Sequence, residues 1–276
     1  PISRLAWEGP AEELDRTENA QPALLATSIA YLAAMREAWG SETPQPFWAA
    51  GHSMGQYSAM VAAGSLSLFD AVRLVRERGR QMQASASGRD GAMAAILGLD
   101  EEHLPELVSR AGMVGTFGVA NRNAPGQVVV SGERAAIEAA AGIAKELGAR
   151  KAIILPVSVA AHSPLMAAAA DAMRTVLAGV DFADPEPPLL ANADARPLTT
   201  GQAARNELIE HLTAGVDWVA AVRRMADAGV ETFIEVGPGR VLTGLIRRIS
   251  PESEAVSLDD PTAPNGLALP PILSRT

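Results

Sequence analysis

The sequence predicts an α/β fold that carries an inserted α+β subdomain with a ferredoxin-like order of elements. One observation is a serine between two glycines at 51–55, where an apolar segment gives way to a helical one. The other is a β-α-β-β-α-β order of predicted elements between residues 91 and 158, after which strands and helices alternate again.

The first predicted elements lead to that serine. Residues 1–19 are polar and acidic, and the apolar-periodic run 23–38 predicts a helix that Pro22 opens. Residues 47–52 form a short apolar segment whose length suits a buried strand, and this segment runs directly into Ser53. The predicted order is therefore strand, serine, helix.

The pattern Gly51-x-Ser53-x-Gly55 is typical of a nucleophile elbow, a sharp strand-to-helix turn that exposes the serine hydroxyl. The pattern is short, so a plain Gly-Ser turn at the start of helix 54–63 is the competing interpretation. We take Ser53 as the candidate nucleophile.

The next helix carries a row of arginines. Helix 54–63 ends at Gly64, and Asp70 is expected to cap the helix that follows. Most of the arginines on this second helix are expected to be solvated; they are Arg73, Arg76, Arg78 and Arg80.

The middle of the chain predicts a compact subdomain over residues 88–160. Its strands are predicted at 91–99, 116–121, 127–132 and 150–158, and its helices at 101–111 and 134–148. The two ends of this order of elements emerge side by side, so the subdomain can sit between two parts of a larger domain, 1–87 and 161–276.

Beyond the insert the α/β alternation resumes. The predicted elements are a helix from His162 to about 177, a strand at 189–192, helices at 202–213 and 217–228, a strand at 231–236, a helix at 240–249 and a strand at 255–258. The tail from Pro261 has no periodicity and is expected to be mobile.

Composition excludes several classes of protein. The 276 residues are 48% hydrophobic, which suffices for a substantial core, and the net charge of -9 without a basic cluster argues against nucleic-acid binding. The lack of cysteine rules out disulfides and thiolate metal sites and fits a cytoplasmic compartment. Apolar stretches such as 152–161 are shorter than the roughly 20 residues that cross a bilayer, so no membrane partner is expected.

A serine nucleophile needs a base, and His162 is the best candidate. His162 follows a long apolar run and opens a helix where the chain re-enters the larger domain, whereas His103 is interpreted as a surface histidine and His211 is ambiguous. The group that orients the base is left open between a carboxylate and a backbone carbonyl; the carboxylates are Asp181, Asp184 and Asp194. The histidines share no metal-ligand spacing, so no metal site is predicted.

Several stretches in order closely resemble malonyl-CoA:acyl carrier protein transacylases and the related acyltransferase domains of polyketide and fatty-acid synthases. The stretches are TENAQP (17–22), GHSMGQYS (51–58), RLVRERG (73–79), NRNAPGQ (121–127), LPVS (155–158), HSP (162–164) and EVGPG (235–239). The resemblance implies an α/β-hydrolase-like large domain with a ferredoxin-like insert.

The resemblance also implies a ping-pong reaction. Ser53 takes a malonyl group from malonyl-CoA, His162 acts as the base, and the phosphopantetheine thiol of holo acyl carrier protein collects the group. Arg78 is implied to hold the free malonyl carboxylate in a two-pronged pair. No metal or redox cofactor is implied.

Further site residues follow from the same resemblance. The backbone N–H of Met54 is placed to donate to the oxyanion, Gln21 and Asn121 match positions near the site, and the His211 carbonyl is implied to orient His162. The family's second oxyanion donor is a glutamine in an N-terminal loop. The sequence is expected to begin downstream of that loop, which leaves a non-catalytic docking module as a competing interpretation.

Hydrolysis and a branched substrate also stay open. A serine thioesterase or hydrolase can use the same scaffold, although it has no general need for Arg78. Ala161, directly before His162, leaves room for a branched extender such as methylmalonyl, where malonyl-selective synthase domains often place an aromatic residue.

Overall fold

The computed structural model describes residues 1–88, 90–157 and 159–259, and within these residues the fold is mixed α/β. The helices are α1 (Ile2–Glu8), α2 (Ala11–Leu14), α3 (Thr17–Trp39), α4 (Gly55–Ala62), α5 (Leu68–Ala86), α6 (Leu104–Gly112), α7 (Arg134–Glu146), α8 (Ala167–Leu177), α9 (Gly201–Ala214), α10 (Trp218–Asp227) and α11 (Val241–Ile249). The strands are β1 (Gly91–Leu97), β2 (Phe117–Ala124), β3 (Gln127–Glu133), β4 (Lys151–Ile154), β5 (Leu189–Leu190), β6 (Pro197–Leu198), β7 (Val216–Asp217), β8 (Thr232–Val236) and β9 (Glu254–Leu258).

The largest sheet has the strand order β4-β1-β3-β2-β7. Its first four strands are antiparallel, with Ala94 of β1 opposite Val130 of β3 and Ile154 of β4, and β7 joins β2 in parallel. Side chains alternate between the two faces of a strand. Ile96 therefore packs with α6 and α7 on one face, while Met93 lies on the other face in a cluster that includes Ala161.

A layer of helices forms the second core. Helices α3, α4, α5, α8 and α9 surround fully buried side chains that include Leu25, Tyr57, Met60 and Met173. Burial of a large apolar side chain contributes about 1.5–3 kcal/mol, so this core fixes the relative positions of α3, α5 and α9. Those three helices carry Gln21, Arg78 and His211 of the site described below.

A third core covers the C-terminal elements. Parallel strands β8 and β9 pair from Thr232 opposite Glu254 to Val236 opposite Leu258. Helices α10 and α11 pack on them through buried residues such as Val222. None of the helices in the described ranges is both long enough and apolar enough to span a membrane.

The strand predicted at 47–52 is wrong in extent. The structure has a single parallel bridge there, between Ala49 and Leu189, flanked by a hydrogen bond from Ala49 N–H to the Pro188 carbonyl at 3.1 Å. The reason is the partner: β5 is only two residues long, so it offers this segment one bridge rather than a ladder. The segment still delivers the chain into the turn at Ser53.

Two predicted helix starts are also wrong. Helix α3 begins at Thr17 rather than at Pro22, which lies in the second turn and forfeits one main-chain hydrogen bond. Helix α5 is capped by Ser67, whose hydroxyl accepts the Asp70 N–H at 3.1 Å. Asp70 sits in the first helical turn, where a carboxylate stabilises the helix end.

Other differences lie at element ends. The polar segment 1–19 contains α1 and α2, and the strand predicted at 150–158 ends at Ile154 as β4. Residue 158 and the tail predicted to be mobile from 261 lie outside the described residues.

Candidate active site

Ser53 sits at a sharp turn between the Ala49 bridge and helix α4. Its φ of 52° is in the left-handed region, which a side chain other than glycine rarely adopts. A Cβ built on Gly51 would lie 2.0 Å from the Gly55 backbone, whereas a Cβ on Gly55 would meet nothing within 4 Å. Gly51 is thus the glycine that the turn requires on steric grounds.

Asn192 holds this turn from the opposite side. Its Oδ1 accepts the Ser53 N–H at 2.7 Å, and its Nδ2 donates to the Gly51 carbonyl at 3.0 Å. The Gln56 amide donates to the Leu190 carbonyl at 2.8 Å, which ties α4 to the same neighbouring segment. These bonds stabilise a backbone conformation that is otherwise unfavourable.

His162 faces the Ser53 hydroxyl. Its Nε2 is 2.8 Å from Ser53 Oγ, and its Nδ1 is 2.6 Å from the His211 carbonyl oxygen. A carbonyl only accepts, so Nδ1 carries the proton and Nε2 is the acceptor for the serine hydroxyl. Among the described residues, the group that orients His162 is a main-chain carbonyl, which is one of the two kinds of group that the sequence left open.

Arg78 reaches the same hydroxyl from helix α5. Its Nη2 donates to Ser53 Oγ at 3.0 Å and lies 3.3 Å from His211 Nε2, and its Nη1 donates to Gln21 Oε1 at 2.7 Å. Arg78 is 2% exposed. Most arginines of this helix were expected to be solvated, and Arg73, Arg76 and Arg80 are indeed exposed.

The buried charge of Arg78 has no carboxylate partner in the described part of the chain; its hydrogen-bond partners there are Gln21, Ser53 and His211. Burial lowers the pKa of Arg78 from its ordinary value, yet a guanidinium stays charged at neutral pH. A buried cation without a counter-ion is costly. The arrangement is suited to binding a small anion beside Ser53.

The same burial keeps the histidines neutral. Burial lowers the pKa of His162 to about 3, and the charge of Arg78 adds to the effect. Burial, followed by Arg78, also places the pKa of His211 well below its usual value. Both imidazoles are therefore uncharged near pH 7, and His162 is free to accept a proton.

The other predicted residues have mixed outcomes. Gln21 and His211 lie at the site, and Met54 precedes helix α4 with a backbone N–H that has no hydrogen-bond partner in the described ranges. Asn121, on β2, makes no described hydrogen bond to Ser53, His162 or Arg78, and its Oδ1 is buried without a partner. His103 is partly exposed beside Glu102, at 3.9 Å.

Sequence reasoning missed three polar residues that support the turn. Asn192 holds the Ser53 backbone, Glu207 accepts the Asn192 N–H at 2.6 Å, and Asn123 Oδ1 accepts from His52 Nε2 at 2.9 Å. Asn192 was detectable as a polar residue at the carboxyl end of a predicted strand. Asn123 lies within the stretch NRNAPGQ (121–127), whereas Glu207 carries no comparable signal.

One three-residue group in the described ranges has metal-ligand atoms close together, namely Asp100, Glu102 and His103, which lie within 4.8 Å of one another. Asp100 precedes a short 3-10 helix before α6, and Glu102 and His103 lie in that helix. None of the three makes a hydrogen bond to Ser53, His162 or Arg78 in the described ranges. The catalytic-type cluster is built from serine, histidine, arginine and amide groups.

Known proteins resemble this chain over most of its length. The profile of the acyl transferase domain family matches residues 2–257. The malonyl CoA-acyl carrier protein transacylase of Bacillus subtilis (strain 168) is 43% identical over 261 residues, 94% of this chain and 81% of that protein.

Solved structures agree. An acyl-carrier-protein S-malonyltransferase from Burkholderia pseudomallei 1710b superposes with a TM-score of 0.91 and 41% identity, covering 96% of this chain and 85% of that one. A malonyl-transacylase in complex with its type II PKS acyl-carrier protein superposes with a TM-score of 0.89 and 38% sequence identity, and the match covers 96% of this chain and 84% of that one. The chain therefore belongs to the acyl transferase domain family.

Proposed function

We propose that this chain transfers a malonyl group from malonyl-CoA to the phosphopantetheine thiol of holo acyl carrier protein, through an ester on Ser53. It is an S-malonyltransferase. The observation that carries the proposal is the buried Arg78 guanidinium, which lies 3.0 Å from the Ser53 hydroxyl and has no carboxylate partner among the described residues. Relatives with 43% identity bear the name of malonyl CoA-acyl carrier protein transacylase.

The first half-reaction loads the serine. Ser53 Oγ attacks the thioester carbonyl while its proton passes to His162 Nε2, 2.8 Å away. The tetrahedral oxyanion accepts a hydrogen bond from the free backbone N–H of Met54, the N-cap residue of α4. The C–S bond then breaks, and the coenzyme A sulfur leaves with the proton from His162.

Arg78 selects the malonyl group. Its two η nitrogens can hold the free carboxylate in a bidentate pair, in place of the hydrogen bond to Ser53 Oγ. The charge of Arg78 lowers the pKa of His162. Pairing with a carboxylate offsets that charge, so a bound malonyl group makes His162 a stronger base at the moment it is needed.

The second half-reaction returns the serine to its starting state. The carrier's thiol gives its proton to His162 Nε2, and its sulfur attacks the ester carbonyl. The C–O bond to Ser53 breaks, and Oγ takes the proton back from His162. The products are malonyl-carrier protein and free enzyme.

The remaining site residues have supporting roles in this proposal. Gln21 fixes the guanidinium of Arg78 through a 2.7 Å hydrogen bond, and the His211 carbonyl fixes the tautomer of His162. Asn121 is proposed to contact substrate, because its buried Oδ1 lacks a partner among the described residues. Ala161, directly before His162, packs against two apolar clusters, and a branched extender is not favoured.

We also propose that residues 88–160 form a ferredoxin-like subdomain inserted in an α/β-hydrolase-like domain made of 1–87 and 161–276. Support comes from the β4-β1-β3-β2 order and from a separate apolar core around Ile96 and Leu107. The turn at Ser53, between the Ala49 bridge and helix α4, supports the hydrolase-like part of this proposal.

The proposed chemistry requires no metal or redox cofactor, because a thioester is already activated toward a serine alkoxide and a histidine moves the proton. A thioesterase is not favoured, since hydrolysis has no need for a carboxylate anchor at the position of Arg78. A non-catalytic docking module is not favoured either, because the Ser53 hydroxyl is within hydrogen-bond distance of both His162 and Arg78.

Incubation with malonyl-CoA and holo acyl carrier protein tests the function. The proposal predicts malonyl-carrier protein as the main product, formed faster than free malonate. Faster release of malonate in the presence of the carrier would support a thioesterase instead.

A further inference from the structure

Glu207 is a buried carboxyl group that a single residue, Asn192, separates from the nucleophile turn. It lies on helix α9 and is 0% exposed. Its Oε1 accepts the Asn192 N–H at 2.6 Å, and its Oε2 has no hydrogen-bond partner in the described ranges. The cation near it is Arg196, whose Nη2 is 3.7 Å from Oε2.

Asn192 connects this carboxyl group to Ser53. The backbone of Asn192 donates to Glu207, while its side chain accepts the Ser53 N–H at 2.7 Å and donates to Gly51 at 3.0 Å. A change in how firmly Glu207 holds Asn192 is therefore passed directly to the left-handed turn of the nucleophile.

A second chain of contacts leaves from the same residue. The Glu207 carbonyl accepts the Nδ1–H of His211 at 2.9 Å, and His211 Nε2 lies 3.3 Å from Arg78 Nη2. Glu207 is therefore linked to Ser53 through Asn192 and to Arg78 through His211.

We propose that Glu207 is a positioning residue whose ionisation, passed on through Asn192, sets how fast Ser53 is acylated. The inference rests on the proposed function and adds its regulation by pH. An ionised carboxylate accepts a stronger hydrogen bond than a neutral carboxyl group does. The ionised form holds Asn192 and the Ser53 turn more firmly, so acylation is faster when Glu207 is charged.

The surroundings place this ionisation near neutrality. Burial raises the pKa of Glu207 to about 7; the Asn192 N–H and Arg196 oppose the rise, whereas Glu210 and Asp194 add to it. The site histidines titrate elsewhere, because burial lowers the pKa of His162 to about 3 and that of His211 well below its usual value. Burial also lowers the pKa of His52.

The test measures the first half-reaction alone, so that no acceptor thiol titrates. The second-order rate of Ser53 malonylation by malonyl-CoA is followed by mass spectrometry at pH values on both sides of 7 for the native chain and for Glu207→Gln. The native rate should rise about fivefold through an inflection near pH 7, a factor that corresponds to about 1 kcal/mol. Glu207→Gln should lack this inflection.

Two further variants make the result specific. Glu210→Gln is a control that keeps the Glu207 carboxyl group: Glu210 is an exposed carboxylate on the same helix that pairs with Arg196 at 2.5 Å. Its variant should still show an inflection, moved to lower pH because the charge of Glu210 raises the pKa of Glu207. Arg196→Gln removes the charge that lowers the pKa of Glu207, so its inflection should move to higher pH. This variant carries the test if Glu207→Gln does not fold.

The outcomes separate the two proposals. Malonylation with the same pH profile in the native chain and Glu207→Gln, or an inflection that Arg196→Gln does not move, overturns the role of Glu207. Absence of malonylation at every pH in the native chain overturns the proposed function instead. Ionisations of malonyl-CoA itself are common to all variants and cancel in the comparison.

Discussion

The Nδ1 of His162 donates a 2.6 Å hydrogen bond to the main-chain carbonyl of His211, and not to a carboxylate. The bond fixes the tautomer in which Nε2 faces the Ser53 hydroxyl. A neutral acceptor leaves the imidazolium less stabilised than an aspartate would. Burial is the largest cause that lowers the pKa of His162 to about 3 and the charge of Arg78 is the next, so pairing Arg78 with a carboxylate removes only the second contribution.

Because a backbone group orients the base, the side chain at 211 is replaceable. In His211→Gln, Ser53 should be acylated at a rate within about threefold of the native rate. The main-chain carbonyl that orients His162 is unchanged, and the glutamine side chain offers an amide oxygen to Arg78. His162→Ala should be slower by about 100- to 10,000-fold. Single-turnover acylation measures both, and a loss in His211→Gln as deep as in His162→Ala would show that the imidazole at 211 takes part in the chemistry.

Arg78→Ala should separate malonyl from acetyl substrates. Malonyl transfer should fall by about 100-fold or more, because the carboxylate would be desolvated without a partner, while activity toward acetyl-CoA rises relative to malonyl-CoA. The ratio of kcat/KM for the two substrates is the measurement. Arg76→Ala, an exposed arginine on the same helix, should change neither value, and an equal loss for both substrates in Arg78→Ala would contradict the anchor role.

Gly79 sets the distance between α3 and α5. A Cβ at this position would lie 2.7 Å from Glu18 Cα and from the Thr17 carbonyl oxygen. Gly79→Ala should therefore separate the helices that carry Gln21 and Arg78, lower stability by about 1–3 kcal/mol and slow malonyl transfer.

The matched control is Gly142→Ala on the exposed side of α7, where a Cβ would meet nothing within 4 Å. It should raise stability by about 0.5–1 kcal/mol. Urea unfolding compares the two variants, and equal stabilisation of both would rule out a close helix contact at Gly79.

Glu207 should make stability fall as the pH rises. Its pKa in the folded chain, about 7, is above the ordinary value of 4.5, so between these values the folded state binds more protons than the unfolded state does. The stabilisation is present below 4.5 and is lost by 7, a change of about 3 kcal/mol.

Glu207→Gln removes this dependence. Between about pH 5 and about pH 8, its free energy of unfolding should fall less than that of the native chain, while Glu210→Gln, which keeps the Glu207 carboxyl group, should still show a fall. Parallel pH dependence in the native chain and Glu207→Gln would show that Glu207 does not ionise near neutrality. If Glu207 does ionise there, lowering the pH protonates it, and the native chain should gain stability while acylation of Ser53 slows.

Sequence patterns identified most of the helices and the four strands between residues 91 and 154, because apolar periodicity reports which face of an element is buried. They failed at 47–52, where the length of a strand depends on a partner distant in sequence, Leu189, rather than on local composition. The start of α3 was missed because Pro22 was taken as its first residue, whereas the helix begins at Thr17 and its first turn lies against Gly79 of α5.

The site divides in the same way. Ser53 is marked by a local pattern, and motif stretches point to His162 and Arg78, so these were accessible from sequence. The hydrogen bond from Ser53 to Asn192 joins residues 139 apart in the sequence, and the bond from Asn192 to Glu207 joins residues 15 apart. The position of Asn192 at the end of a predicted strand was a local signal, but no local pattern indicates either pairing. Arg78 lies on the side of α5 that faces the core, whereas the other arginines of this helix lie on its exposed side.

The most direct measurement is the mass of the intact chain after brief exposure to malonyl-CoA without acceptor, for the native chain and for Ser53→Ala. We expect the native chain to gain one malonyl group, located at Ser53 by peptide mapping and removed when holo acyl carrier protein is added, while Ser53→Ala gains none. A native chain that produces malonyl-carrier protein without ever carrying malonyl on Ser53, or equal labelling of Ser53→Ala, would contradict the seryl-ester mechanism.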